Sequence, residues 1–265
     1  MNIRALAVIA ALVVVPGAAS ADGLPAPPPP VAAPDCCAPV ALWTGVYVGG
    51  HGGGAWGDPT WTFPTVTTFN SAPGQSFSIS ADGAIAGGQV GVNYQFHPHL
   101  LIGAEASYAG SRFGNLVTGA IPGFPGDRLG VKAHDLLTVT GRLGFVHDQY
   151  LFYAKGGWAS SSVEVGAESQ TGALTGTTAY STRRENGWTI GGGIESRIIS
   201  NIIFGLEYDY VSLPGDRFTA VTGGTLPGAP FTADIDGLHM HAVVARLGIL
   251  FGPNACCAEG VLGKW

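Results

Sequence analysis

Apolar and small or polar residues alternate with a period of two along much of this chain. The stretch Asn201–Leu213, NIIFGLEYDYVSL, is one example. Ile202, Phe204, Leu206, Tyr208 and Tyr210 take every second place, and Ile203, Gly205, Glu207, Asp209 and Val211 lie between them. A strand sends successive side chains to opposite faces, so this pattern makes a ribbon with one greasy aromatic face and one small, acidic face. The same alternation recurs in 89–96, 101–108, 138–147, 150–159, 188–197 and 245–251. Strands are therefore expected over 44–56, 83–96, 100–110, 134–147, 150–164, 185–197, 202–213 and 238–251. The first of these, with Gly49, Gly50 and Gly52 to Gly54, does not declare its faces. No stretch of helical period with caps competes with them.

The connections carry a second rhythm. His97-Pro98-His99, His147-Asp148-Gln149 and 198–201 are tight turns, whereas 57–82, 111–133, 165–184 and 214–237 are long and rich in Gly, Pro, Thr and Ser. Long and short alternate without exception. A soluble barrel or sandwich with its apolar face inside would show the same strand alternation. It would, however, need a charged outer face, and charged residues are only 11% of this chain against about 25% in a typical globular protein. Tyr94, Phe96, Tyr108, Phe145, Tyr150, Phe152, Tyr208 and Tyr210 gather near strand ends, as aromatic belts at membrane interfaces do. The pattern predicts an all-β fold: an eight-stranded antiparallel up-and-down transmembrane β-barrel, with long external loops, short periplasmic turns and the apolar faces in lipid.

The ends read differently. MNIRALAVIAALVVVPGAASA has one early cation, Arg4, a short apolar core and an Ala19-Ser20-Ala21 cleavage site, so residues 1–21 are expected to be a secretory signal. Residues 22–42 hold seven prolines and form an extended linker; 43–251 form the barrel, and 252–265 a tail. Loss of Arg4 takes the net charge from −6 to −7, which argues against a nucleic-acid partner. Cysteines come only as Cys36-Cys37 and Cys256-Cys257, just outside the two ends of the barrel. Closure of the barrel would bring these pairs together in an oxidising compartment, so one or two bridges between them are expected. Vicinal disulfides, a four-thiolate metal site and free thiols remain alternatives, because connectivity does not follow from sequence.

The chain also resembles a known family. Trp43 to Gly49 reads WTGVYVG, Gly87 to Gln95 reads GGQVGVNYQ, Gly103 to Tyr108 reads GAEASY, Gly205 to Tyr210 reads GLEYDY, and Tyr153 to Ala159 reads YAKGGWA. Together these resemble the proteobacterial "porin family" of small outer-membrane barrels, the OmpA-like and opacity-type group that includes outer-membrane immunogenic proteins. The resemblance covers 43–251. It implies an eight-stranded barrel in the cell outer membrane, with outer-membrane lipid and the barrel-assembly machinery as partners. It further implies surface ligands for the loops, a role in envelope integrity and surface contact, and no shared chemistry. Such barrels end on an aromatic residue; Phe251 fits, but GPNACCAEGVLGKW follows it.

Candidate chemistry is sparse. Gly49 to Gly54 has glycines for a phosphate loop but lacks the helix such a loop needs. His239 and His241 share a strand face without a third ligand. His134, Asp135 and Ser160 to Ser162 supply residue types for hydrolysis without a readable nucleophile–base spacing. No enzyme activity, cofactor or metal is therefore expected. The alternation does point eight charges inward: Glu105, Arg142, Lys155, Glu195, Arg197, Glu207, Asp209 and Arg246, four acids and four bases. Confined charges are costly unless paired, so a salt-bridged network that plugs the lumen is expected. A narrow pore for small solutes is the second reading and a lipid-modifying barrel enzyme the third.

Overall fold

A computed structural model describes residues 42–64, 73–118, 124–199 and 201–252. In chain order the strands are β1 (Gly45–Gly57), β2 (Thr60–Thr62), β3 (Ser76–Ser78), β4 (Ala81–His97), β5 (Leu100–Phe113), β6 (Leu116–Thr118), β7 (Arg128–His147), β8 (Tyr150–Glu168), β9 (Thr178–Ile199), β10 (Ile202–Leu213), β11 (Asp216–Val221), β12 (Pro230–Asp236) and β13 (Leu238–Phe251). The eight expected strands are all present, as β1, β4, β5, β7, β8, β9, β10 and β13. Each pairs antiparallel with its neighbour in sequence; β5 pairs with both β4 and β7, and β13 with both β10 and β1. The ring is therefore closed, and no long strand has a free edge. Val46 opposite Phe251 puts the two barrel termini at the same end as the three tight turns. In the second of those turns Asp148 adopts a φ of 51°, a left-handed conformation that aspartate tolerates in a tight hairpin.

The long segments, read as loops, are instead largely ordered β-structure. Strands β7, β8 and β9 run for 20, 19 and 22 residues, about twice the length needed to cross a bilayer. Beyond the barrel, β11, β12, β2 and β3 form a separate four-stranded sheet, and β6 lengthens the barrel wall against β7. Trp61, Phe63, Phe218 and Phe231 are buried there, with Phe63 packed edge-on against Phe231 at 6.2 Å. These four side chains lie in segments whose glycine and proline content marks them as loops.

Which face is apolar changes along the strands. In the turn half of the barrel, Val90, Val92, Ile102, Leu143, Phe152, Ile190, Leu206 and Leu247 point outward and stay exposed. An exposed apolar band on this scale suits lipid and not water. In the loop half the apolar residues point inward. On β8 the outward positions run Phe152, Ala154, Trp158, then Ser160, Ser162 and Glu164, while the inward ones become Val163, Val165 and Ala167. On β13 Leu238, Met240, Ala242 and Val244 face inward, and Leu247, Ile249 and Phe251 outward. Strand β7 makes the same change differently. Apart from Leu136 and Val146 its apolar residues stay on odd numbers, and a bulge between Ala133 and Leu137 moves the upper ones to the inside. Strand β1, undeclared in the sequence, sends Tyr47 and Ala55 inward and Val46, Val48 and Trp56 outward.

Candidate functional site

The interior has three layers. At the turn end Trp43, Leu101, Val146, Leu151, Ile203 and Leu250 form an apolar cluster. At the loop end a larger one runs from Ile85, Val163 and Met240 up to Trp61 and Phe231. Between them lies an ionic layer, in which strands β5, β7, β8, β9, β10 and β13 each supply inward charges.

The layer is densely connected. Arg142 Nη2 lies 3.0 Å from Glu195 Oε2, and its Nη1 donates to the Tyr47 hydroxyl at 2.6 Å. Tyr47 donates in turn to Glu105 Oε2 at 2.7 Å. Arg246 bridges Glu105 and Glu207 through its two terminal nitrogens, and its Nε lies 3.7 Å from Glu195. Lys155 Nζ is 2.8 Å from Glu207, 3.2 Å from Asp209 and 3.6 Å from Glu105. Tyr153 donates to Glu207 at 2.5 Å, and the Arg142 guanidinium lies over its ring at 3.9 Å. Glycines opposite make room for these long side chains. A β-carbon at Gly91 would overlap the Tyr47 ring, and one at Gly193 would sit 2.8 Å from the Tyr153 hydroxyl.

Seven of the eight residues singled out for the lumen thus meet in one layer. Arg197 does not join them. It faces inward but lies nearer the turn end, half-buried, and donates to the Leu42 carbonyl at 2.8 Å. With Arg197 outside, the layer holds Glu105, Glu195, Glu207 and Asp209 against Arg142, Lys155 and Arg246, a formal sum of −1 instead of zero. The two tyrosines were not singled out from the sequence: Tyr47 lies on the strand whose faces the glycines obscured, and Tyr153 carries no charge to draw attention.

The other candidates fall into separate places. Gly49 to Gly54 lies within β1, with β2 and no helix beyond it. His239 and His241 face outward, each with Nδ1 bonded to a tyrosine hydroxyl, Tyr210 at 2.9 Å and Tyr208 at 2.7 Å. Trp56 stacks on His241 at 5.7 Å, so these histidines belong to the aromatic belt at the loop side of the apolar band. The Ser161 hydroxyl donates to the Asp135 carbonyl, and Ser160 and Ser162 accept from Arg184, while His134 faces Glu164. That arrangement holds strands together and sets no imidazole against a serine. In the outlying sheet, the hydrogen bond and charge of Arg217 hold the Asp234 carboxyl below its ordinary range. Cys36, Cys37, Cys256 and Cys257 lie outside the described residues, as do the signal, most of the linker and nearly all of the tail.

The profile of a family described as "Outer membrane protein beta-barrel domain" matches residues 7–225. The chain is 30% identical over 212 residues to the 31 kDa outer-membrane immunogenic protein of Brucella melitensis, covering 78% of this chain and 85% of that one. The protein of the same description from Brucella suis matches equally, at 30% over 212 residues. Among solved structures, the outer membrane protein OprG from Pseudomonas aeruginosa superposes with a TM-score of 0.50 at 10% identity, covering 81% of this chain and all of that one.

Proposed function

Because the chain belongs to the outer membrane protein beta-barrel domain family, we propose that it is a sealed barrel of the outer membrane whose work is done on the cell surface. The lumen is plugged, and the barrel anchors an ordered β-structured head that contributes to envelope integrity and surface contact. The observation that carries this reading is the layered interior. A dense ionic layer is capped on one side by Trp43, Leu101 and Leu151 and on the other by Ile85, Val163 and Met240. An eight-stranded barrel has room for little beyond its own side chains, and these fill it with alternating dry and charged tiers. The loop end faces outward and the tight turns face the periplasm, as in other barrels of this build.

Planar bilayer recording tests the plug. Purified wild-type protein is expected to give no steady channels; large, stable and frequent openings would establish a pore and overturn the reading. Orientation has its own test. Protease added to intact cells is expected to cut, if anywhere, within 57–82 or 214–237. Labelling of His97-Pro98-His99 from outside, with the long segments silent, would invert it.

A further inference from the structure

The outward faces of the barrel strands carry very few cations, and those few are gathered in one place. Arg112 on β5, Arg128 and Lys132 on β7 and Arg184 on β9 all point outward in the loop half. The register puts Lys132 beside Glu164 on β8 and Arg184 beside Ser162, and Arg112 lies in the irregularity where Gly110 meets Asp135 and Phe113 meets Ala133 of β7. The rest of the ring, from β4 beside β5 round to β10 beside β9, has no outward Lys or Arg at this level among the described residues; it shows Asp82, Trp56, Tyr208, Tyr210, His239 and His241 instead. The patch begins just beyond the aromatic belt of Tyr108, Trp158 and Trp188, where the wall leaves the apolar band and enters the headgroup region.

The cations are held ready to different degrees. Arg184 is half exposed yet fixed, with Nη2 2.7 Å from Asp135 and 3.0 Å from the Ser162 hydroxyl. Arg128 pairs with Glu168 at 3.2 Å and Lys132 with Glu164 at a loose 3.5 Å, both part-buried. Single ion pairs near a surface hold their partners weakly. Arg112 is exposed and has no ion pair among the described residues. Four cations stand against Asp135, Glu164 and Glu168, and Asp82 on the adjoining β4 lies diagonal to Arg112, so the wall is balanced overall and Arg112 is its one cation without an ion pair among the described residues. Farther down β7, β8 and β9, past the Trp158 and Trp188 tier, the outward wall sinks into an apolar groove floored by Gly141 and Gly156 and walled by Leu143, Trp188 and Ile190. An arginine cluster above an acyl-sized groove is complementary to one kind of molecule, a phosphorylated acyl lipid.

We infer that the β5–β7–β8–β9 wall is a binding site for a phosphorylated glycolipid of the outer leaflet, with its phosphate on Arg112, Lys132 and Arg184 and an acyl chain in the Gly141–Gly156 groove. The inference rests on the outward orientation of the loop end, but its test does not. Folded protein in detergent is titrated with a bisphosphorylated acyl glycolipid and with the same lipid after enzymatic removal of its phosphates, and bound lipid is counted by native mass spectrometry. The phosphorylated form is expected to bind at least about tenfold more tightly. Arg112→Gln alone should weaken binding severalfold, and Arg112→Gln with Lys132→Gln about tenfold, while both variants keep the heat-dependent gel shift of a folded barrel. Arg217→Gln, on the outlying sheet, should bind as wild type does. Equal binding of the two lipids, or unchanged binding by the double variant, overturns the site. Tight phosphate-dependent binding by a barrel whose loop end proves periplasmic would keep the site and discard the orientation.

Discussion

Removal of Arg142 tests the ionic layer where one guanidinium joins two acids and both buried tyrosines. Its guanidinium reaches Glu195 at 3.0 Å, Glu105 at 3.6 Å and the Tyr47 hydroxyl at 2.6 Å, and covers the Tyr153 ring. In Arg142→Ala, Glu195 keeps only the Arg246 Nε at 3.7 Å, and the layer passes from a formal −1 to −2. Leaving a buried charge without its partner costs about 3–5 kcal/mol, and the lost cover on the Tyr153 ring is part of that figure. The assay is urea unfolding of protein folded into lipid vesicles, followed by tryptophan fluorescence and the heat-dependent gel shift. Neutralising the orphaned acid should recover part of the loss, so Glu195→Gln in the Arg142→Ala background is expected to regain about 1–3 kcal/mol. Bilayer conductance should stay silent in both, because the apolar layers above and below are untouched. An Arg142→Ala barrel within about 0.5 kcal/mol of wild type, or a double variant no better than the single, would refute the reasoning.

Three further outcomes are expected. Leu206→Arg puts a cation on the apolar outer band and should cost about 2–4 kcal/mol in vesicles if the position lies near the midplane; a neutral effect would remove that face from lipid. Trp61→Ala empties the core of the outlying sheet, a change that costs about 3–5 kcal/mol at a buried site; limited proteolysis should then open 57–82 while the barrel keeps its gel shift. Peptide mapping without reductant should find a link between the Cys36-Cys37 and Cys256-Cys257 peptides, and a map with no such link would dismiss the bridge.

Strand positions were readable because lipid and a filled lumen impose opposite chemistries on successive residues. The run from Ile202 to Leu213 shows both the strand and its faces, and β10 has those bounds. The period gives the face but not the height. Arg197 shares the inward face of Glu195, yet two residues along a strand move it about 7 Å, enough to leave the ionic layer for the rim. Nor does the period announce a bulge. The odd-numbered apolar residues of β7 read as one continuous face, whereas Ala133 and Leu137 lie on either side of an irregularity that separates inside from outside. The outlying sheet was hidden by composition, since Trp61, Phe63 and Phe231 lie among the Gly, Pro and Thr that signal loops.

The uneven charge of the lumen follows from this layering. With apolar tiers at both ends, water cannot screen the ionic layer, so each matched pair is strong and each unmatched charge is expensive. One carboxylate has no cation of its own, and its position within the layer is not arbitrary. The side chains of Glu105, Glu195 and Glu207 are 1–4% exposed, whereas that of Asp209 is 17% exposed. Asp209 is also the acid with a single cationic neighbour, Lys155 at 3.2 Å, which it shares with Glu207 and Glu105. The excess charge therefore sits at the least buried carboxylate of the four, and the three driest acids keep the two arginines.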